Sequence, residues 1–144
     1  MKIEQKVKIF LVDDDKVFLR LLELQFTNEG DFIVEAFATG ELCLENLSKN
    51  PDIIILDYYL DAVDKSAKNG IETLDKIKTI NTEIPVIILS SQDKIEVAID
   101  CMHHKAFDYV VKSETAFLRI KKIISSIFEY KEMSNKLNWY MDRM

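Results

Sequence analysis

Glycine and proline are scarce in this chain, with three and two among 144 residues. So few chain breakers predict short connections, and Pro51 and Pro85 each stand just ahead of an apolar run. Cysteine is as rare. Cys43 and Cys101 lack C-x-x-C spacing and stand far apart in the sequence, which argues against a zinc site or a disulfide framework, even with His103 and His104 after Cys101, and predicts two buried free thiols. Basic charge is also in deficit: the formal net charge is −6 and no Lys/Arg-rich arm occurs, so direct nucleic-acid binding is not expected. No apolar stretch approaches membrane-spanning length, and Glu4, Gln5 and Lys6 separate Ile3 from Val7 where a signal-peptide core would need continuity. The expectation is a cytoplasmic protein with no membrane contact.

What is present is an alternation. With 48% hydrophobic and 31% charged residues, the chain has the composition of one globular domain large enough for a core. Strand-length apolar runs fall at Lys8 to Val12, Phe32 to Phe37, Ile53 to Leu56, Val86 to Leu89 and Tyr109 to Val111. Helical spacing fills the gaps: Phe18, Leu21, Leu22 and Phe26; Leu42, Leu44 and Leu47; Ile71, Leu74, Ile77 and Ile80; Ile95, Ala98, Ile99 and Met102. A last helix is predicted to begin near Ser113 to Thr115, capped by a hydroxyl, and to run through Phe117, Ile120, Ile124, Ile127 and Phe128. Such βα repetition predicts an α/β fold with a parallel sheet, for which a five-stranded chain has the common strand order 2-1-3-4-5.

Two of the apolar runs end in acid. Ile9-Phe10-Leu11-Val12 leads into Asp13, Asp14 and Asp15, and Ile53-Ile54-Ile55-Leu56 leads into Asp57. In open α/β sheets ligands bind outside the carboxyl ends of the strands, and in the order 2-1-3-4-5 strands 1 and 3 are neighbours. The two acidic ends then share one pocket with Ser90, after the fourth strand, and Lys112, after the fifth. Clustered carboxylates repel one another unless a cation intervenes or a pKa rises, and hard oxygen ligands of this kind suit Mg²⁺. Asp13, Asp14 and Asp57 are the candidate ligands. Asp57 is the candidate nucleophile, since a carboxylate can form an aspartyl phosphate, and Ser90 and Lys112 are candidates to bind phosphoryl oxygens. Taken singly, each position also reads as a turn residue, a helix cap or a solvated lysine; Asp15 is assigned to that structural class.

From Lys8 to about Phe128 the chain resembles the receiver domain of two-component response regulators. The stretches that carry the likeness are Ile9 to Asp15, Pro51 to Asp57, Asn69-Gly70-Ile71-Glu72, Pro85 to Ser91 and Asp108-Tyr109-Val110-Val111-Lys112. The resemblance implies a (βα)5 doubly wound, flavodoxin-like fold and a phosphoryl group accepted on Asp57 from a sensor histidine kinase or a histidine phosphotransfer protein. It also implies Mg²⁺ held by Asp14, Asp57 and the Tyr59 carbonyl, with Asp13 acting through water. Ser90 and Lys112 would contact the phosphoryl group, and Ser90 and Tyr109 would form the switch that reshapes the face of the fourth helix, fifth strand and fifth helix. Such a domain is a signalling phosphoacceptor that assists its own phosphotransfer and dephosphorylation, rather than an enzyme. The rivals are a pseudo-receiver acting as a phosphorylation-independent interaction module and a Mg²⁺-dependent phosphatase of the haloacid dehalogenase type. The latter wants an acid where Tyr59 stands.

Several positions depart from the family pattern. Asp61 replaces a common proline, and Gly70 follows a loop, Asp61 to Asn69, that is about five residues longer than usual. Ser113 replaces the proline after Lys112, which leaves two outcomes: a different placement of Lys112 or a strained cis bond. Lys105 stands where glycine is common, so the position either lacks a positive-φ turn or carries one on a lysine. The resemblance also implies that Tyr59 and Gln92, two residues after Asp57 and Ser90, flank the path of attacking water. Finally, Ala116, Ile120, Ile123, Ile127, Tyr130, Ser134, Leu137, Met141 and Met144 follow spacings of four and three. Residues 1–130 are thus read as the receiver and 131–144 as a helical extension or linker. A homodimer through this helix, or through the switch face, is among the expected partners.

Overall fold

The structure is a computed structural model that describes residues 6–60, 69–91 and 93–144. The elements alternate as β1 (Val7–Val12), α1 (Lys16–Glu29), β2 (Phe32–Phe37), α2 (Gly40–Glu45), β3 (Ile53–Asp57), α3 (Gly70–Ile80), β4 (Val86–Ser90), α4 (Ile95–His103), β5 (Asp108–Val111) and α5 (Ala116–Asp142), with a 3₁₀ turn at Leu47–Lys49. All strand pairs are parallel and the order is β2-β1-β3-β4-β5, as the alternation predicts. Most of Asp61 to Asn69, including Asp61 and Asp64, lies outside the described residues, as does Gln92.

The period-two geometry of the strands sorts their side chains onto two faces. Phe10, Val12, Ile54, Leu56 and Ile88 pack with Leu74 and Ile77 of α3 and Cys101 of α4. Ile9, Leu11, Ile53, Ile55, Ile87 and Val110 pack with Leu22 and Phe26 of α1 and Ile120, Ile124 and Ile127 of α5. The central strands are apolar throughout because helices cover both faces. Cys43 and Cys101 are buried and unpaired, and burial pushes their thiols up to about 12 and about 11, so neither supplies a reactive thiolate at neutral pH.

Local chemistry sets the helix ends. Asp15 caps α1 by accepting the N–H groups of Val17 and Phe18, which confirms its structural assignment. Asn69 and Glu72 form a reciprocal capping box that starts α3. The expected hydroxyl cap of α5 is corrected: Thr115 occupies the cap position without a side-chain bond to the helix, and Ser113 Oγ instead accepts the Thr115 N–H at 3.3 Å. Lys105 carries the positive-φ turn, at φ 73°, directly after α4. No cis peptide occurs among the described residues.

Helix α5 is long, but its heptad-like spacing does not describe one continuous seam. Ala116, Ile120 and Ile127 are buried against the sheet and Ile123 is half-buried, whereas Tyr130, Ser134, Leu137, Met141 and Met144 are exposed. The first half of the pattern is therefore the domain's own core stripe, unavailable to a partner helix, and only the portion from Tyr130 onward is free to meet one. Among the described residues no helix is long and apolar enough to cross a membrane.

Candidate functional site

Strand register builds the site. Val12 pairs with Leu56, so the next residues, Asp13 and Asp57, emerge side by side at the carboxyl edge of the sheet. Asp57 pairs with Leu89, which sets Ser90 one step further along β4, and Ser90 pairs with Val111, which sets Lys112 one step further along β5. The Lys112 N–H donates to the Ser90 carbonyl at 2.8 Å and extends this alignment past the formal strand ends. Four separate stretches of sequence thereby converge.

The pocket is buried and charged. Asp13, Asp57 and Ser90 expose 2%, 3% and 0% of their surface. Lys112 Nζ lies 2.9 Å from Asp13 Oδ2 and 3.5 Å from Asp57 Oδ1, and its ammonium sits 5.0 Å from the centroid of the Phe18 ring in the first turns of α1. Asp13 Oδ1 accepts the Asp15 N–H at 2.9 Å, and Asp57 Oδ1 accepts the Tyr59 N–H at 3.4 Å. Lys112 reaches both acids from a chain without proline at 113 and without a cis bond there, so of the two expected outcomes the strained cis bond does not occur.

Burial pushes the Asp57 carboxyl up to about 7, helped by the charge of Asp13 and a hydrogen bond shared with it; Lys112 and the Tyr59 N–H pull the other way without prevailing. Burial draws the Lys112 ammonium down, but its bond to Asp13 and the charges of Asp57, Asp13 and Asp15 leave it above its ordinary value. Burial likewise raises the Tyr109 phenol, and the Ser90 side chain opposes that rise, which places the two predicted switch residues near one another.

One carboxylate oxygen from each of Asp13, Asp14 and Asp57 lies within 4.8 Å of the other two. Asp13 Oδ2 is buried, has the Lys112 ammonium against it, and receives no well-aligned hydrogen bond among the described residues. An underused buried oxygen beside two further carboxylates is the donor set a hard divalent cation requires. The residues present therefore fit a metal ion.

Sequence reasoning missed a second set of contacts. The backbone of Tyr58 donates to the Leu89 carbonyl at 2.8 Å and accepts the Gly70 N–H at 3.0 Å, and its hydroxyl donates to Asp100 Oδ2 of α4 at 3.2 Å. Gly70 approaches this strand end so closely that a Cβ there would lie 2.5 Å from the Asp57 carbonyl oxygen. His104 Nδ1 lies 2.8 Å from Asp75 Oδ1 and its Nε2 lies 3.6 Å from Asp100 Oδ1. The only sequence signal was the four-residue spacing of Asp100 and His104 on one helix face.

Comparison with known proteins agrees with this geometry. The family described as response regulator receiver domain matches residues 9–125. The chain is 31% identical over 117 residues to a protein-glutamate methylesterase/protein-glutamine glutaminase of Clostridium acetobutylicum, covering 78% of this chain and 32% of that protein. It is 31% identical over 139 residues to the DNA-binding transcriptional regulator NtrC of Proteus hauseri, covering 93% of this chain and 28% of that one. The chain thus spans about a third of the length of the curated relatives it matches. Among solved structures, the CheX-CheY-BeF3-Mg²⁺ complex from Borrelia burgdorferi superposes with a TM-score of 0.74 at 25% identity, covering 86% of this chain and 90% of that one.

Proposed function

The chain belongs to the response regulator receiver domain family, and on that premise we propose that it is a cytoplasmic phosphorylation switch whose acceptor is Asp57. The observation that carries the reading is the reach of Lys112 to both Asp13 and Asp57 inside a pocket of three acids. An enzyme that hydrolyses phosphate through a strand-end aspartate wants a second acid two residues on. Here Tyr59 fills that position, 39% exposed at the pocket edge.

In the proposed step a carboxylate oxygen of Asp57 forms a P–O bond as the bond between phosphorus and the donor nitrogen of a phosphohistidine breaks, the imidazole leaving with the electron pair. Asp57 must be ionised to attack, so its raised pKa is relieved before transfer. Asp14, Asp57 and the Tyr59 carbonyl would hold Mg²⁺, with Asp13 behind a water, and the bound ion would offset the charge of the pocket and of the arriving phosphoryl group. Lys112 supplies positive charge beside Asp57, and Ser90 supplies a hydroxyl donor. Turning Ser90 toward the phosphoryl group takes its hydroxyl away from Tyr109, which frees the phenol to move and changes the outer face.

The donor class is a sensor histidine kinase or a histidine phosphotransfer protein. The apolar stripe of Ile95, Ile99 and Met102 on α4, each about half exposed or more, supports a face read by a partner or by a second copy of the chain. The exposed part of α5 from Tyr130 onward, residues 131–144 being read as an extension, offers a further dimer contact. Incubation with Mg²⁺ and acetyl phosphate followed by intact-mass measurement tests the function. A gain of one phosphoryl group in the wild type and none in Asp57→Ala supports it; no gain with any phosphodonor refutes it.

A further inference from the structure

Tyr58, the residue after the acceptor, is fastened to three elements at once. Its N–H bonds to Leu89 at the end of β4, its carbonyl takes the Gly70 N–H at the start of α3, and its hydroxyl donates to Asp100 in the C-terminal half of α4. Asp100 is in turn approached from its other oxygen by His104, whose second ring nitrogen is committed to Asp75 of α3. Among the described residues the N-terminal end of α4 shows no comparable side-chain bond. Lys94 makes no side-chain cap bond, and Ile95 is 72% exposed.

We propose that the Tyr58–Asp100 hydrogen bond is a positioning contact that couples the state of Asp57 to the placement of α4, separately from the Ser90–Tyr109 pair. The inference rests on the receiver reading given above and deepens it by assigning a route from the acceptor to a surface helix. A phosphoryl group on Asp57 must shift or recharge the strand end, and the backbone of Tyr58 is the first peptide to feel it. Because that backbone is pinned to β4 and α3, a displacement at Asp57 redirects the phenol. The phenol is bonded to Asp100, so its redirection is passed to α4. Coupling of this kind is reciprocal: α4 held by a partner would bias the loop beside Asp57 by the same free energy.

The test compares amide NMR spectra of wild type, Tyr58→Phe, Asp100→Ala and Asp100→Asn, each with and without Mg²⁺ plus beryllofluoride, an unreactive stand-in for a phosphoryl group. Asn keeps a carbonyl oxygen to accept from the Tyr58 hydroxyl, so it serves as the conservative rescue and guards against misfolding as the explanation. In wild type the amides of residues 95–103 shift when the probe binds. The coupling predicts that their shifts fall by at least about half in Tyr58→Phe and Asp100→Ala and are retained in Asp100→Asn, while amides beside Asp57 and at Tyr109 respond fully in all four. An α4 response unchanged in Tyr58→Phe and Asp100→Ala overturns the proposal. A wild type that shows no shift beside Asp57 is a different result: it removes the receiver reading, and the coupling with it.

Discussion

Lys112 Nζ stands between two acids from different strands, 2.9 Å from Asp13 Oδ2 and 3.5 Å from Asp57 Oδ1. The shorter contact is to the acid that is not the proposed acceptor. The lysine is thus anchored by Asp13 and positioned toward Asp57, ready to meet charge that arrives there without having to be recruited from solvent.

Removing that ammonium leaves buried carboxylates uncompensated. Lys112→Met is expected to lower unfolding free energy by about 2–3 kcal/mol at pH 8 and by less at pH 5, where Asp57 is protonated. Urea denaturation at the two pH values measures it, and an equal loss at both would show that packing against Phe18, rather than charge, is what Lys112 contributes.

A divalent metal held at Asp57 would compete with a proton. The Asp57 carboxyl titrates at about 7, so Mg²⁺ binding must displace a proton below that pH. Affinity measured by titration calorimetry is expected to fall by about tenfold between pH 8 and pH 6 in the wild type, and to lose most of that dependence in Asp57→Asn.

The same elevation makes an ionised Asp57 unfavourable to folding. A carboxyl at about 7 in the folded chain against 3.8 when unconstrained contributes stability that is complete below pH 3.8 and lost as pH rises through 7. Asp57→Asn is therefore expected to be more stable than wild type by roughly 1–3 kcal/mol at pH 8, the difference closing by pH 4. Thermal or denaturant melts without divalent metal check this, and added Mg²⁺ should narrow the gap at pH 8.

Gly70 lets the start of α3 lie against the Asp57–Tyr58 backbone. A Cβ at 70 would sit 2.5 Å from the Asp57 carbonyl oxygen and 2.7 Å from Tyr58 Cα, and neither backbone atom can give way cheaply. Gly70→Ala is expected to cost about 1–3 kcal/mol of stability and to slow phosphorylation by acetyl phosphate, because Asp57, the proposed acceptor, is displaced. Normal stability and normal phosphorylation rate in this variant would show that the close approach relaxes freely.

The path of the main chain and the membership of the pocket were legible because both follow from pattern. Apolar runs bounded by Asp13, Asp57, Ser90 and Lys112 mark strand ends, and parallel register then leaves little choice about which residues meet. Asp15 as a helix cap was legible for the same local reason. The fate of the α5 pattern was not. Ala116 to Ile127 and Tyr130 to Met144 share one spacing, and only the distance to the sheet distinguishes a core stripe from an exposed one. Nor could spacing reveal that Tyr58 reaches Asp100, forty-two residues away, since a tyrosine beside an acceptor looks the same whether its hydroxyl meets solvent or a helix. Lys105 shows the limit from the other side: its chemistry does not favour φ 73°, which accompanies the closing turn of α4, where the Lys105 and Ala106 N–H groups donate to the Met102 and Cys101 carbonyls.

One carboxylate, Asp57, is the proposed site of the phosphoryl group. Treating the acetyl-phosphate product with borohydride reduces an aspartyl phosphate to homoserine, which peptide mass spectrometry can place in the sequence. Homoserine is expected at position 57, formed only when Mg²⁺ and acetyl phosphate are both supplied; homoserine at 13 or 14 instead, or its absence from every acidic position, would contradict phosphorylation of Asp57.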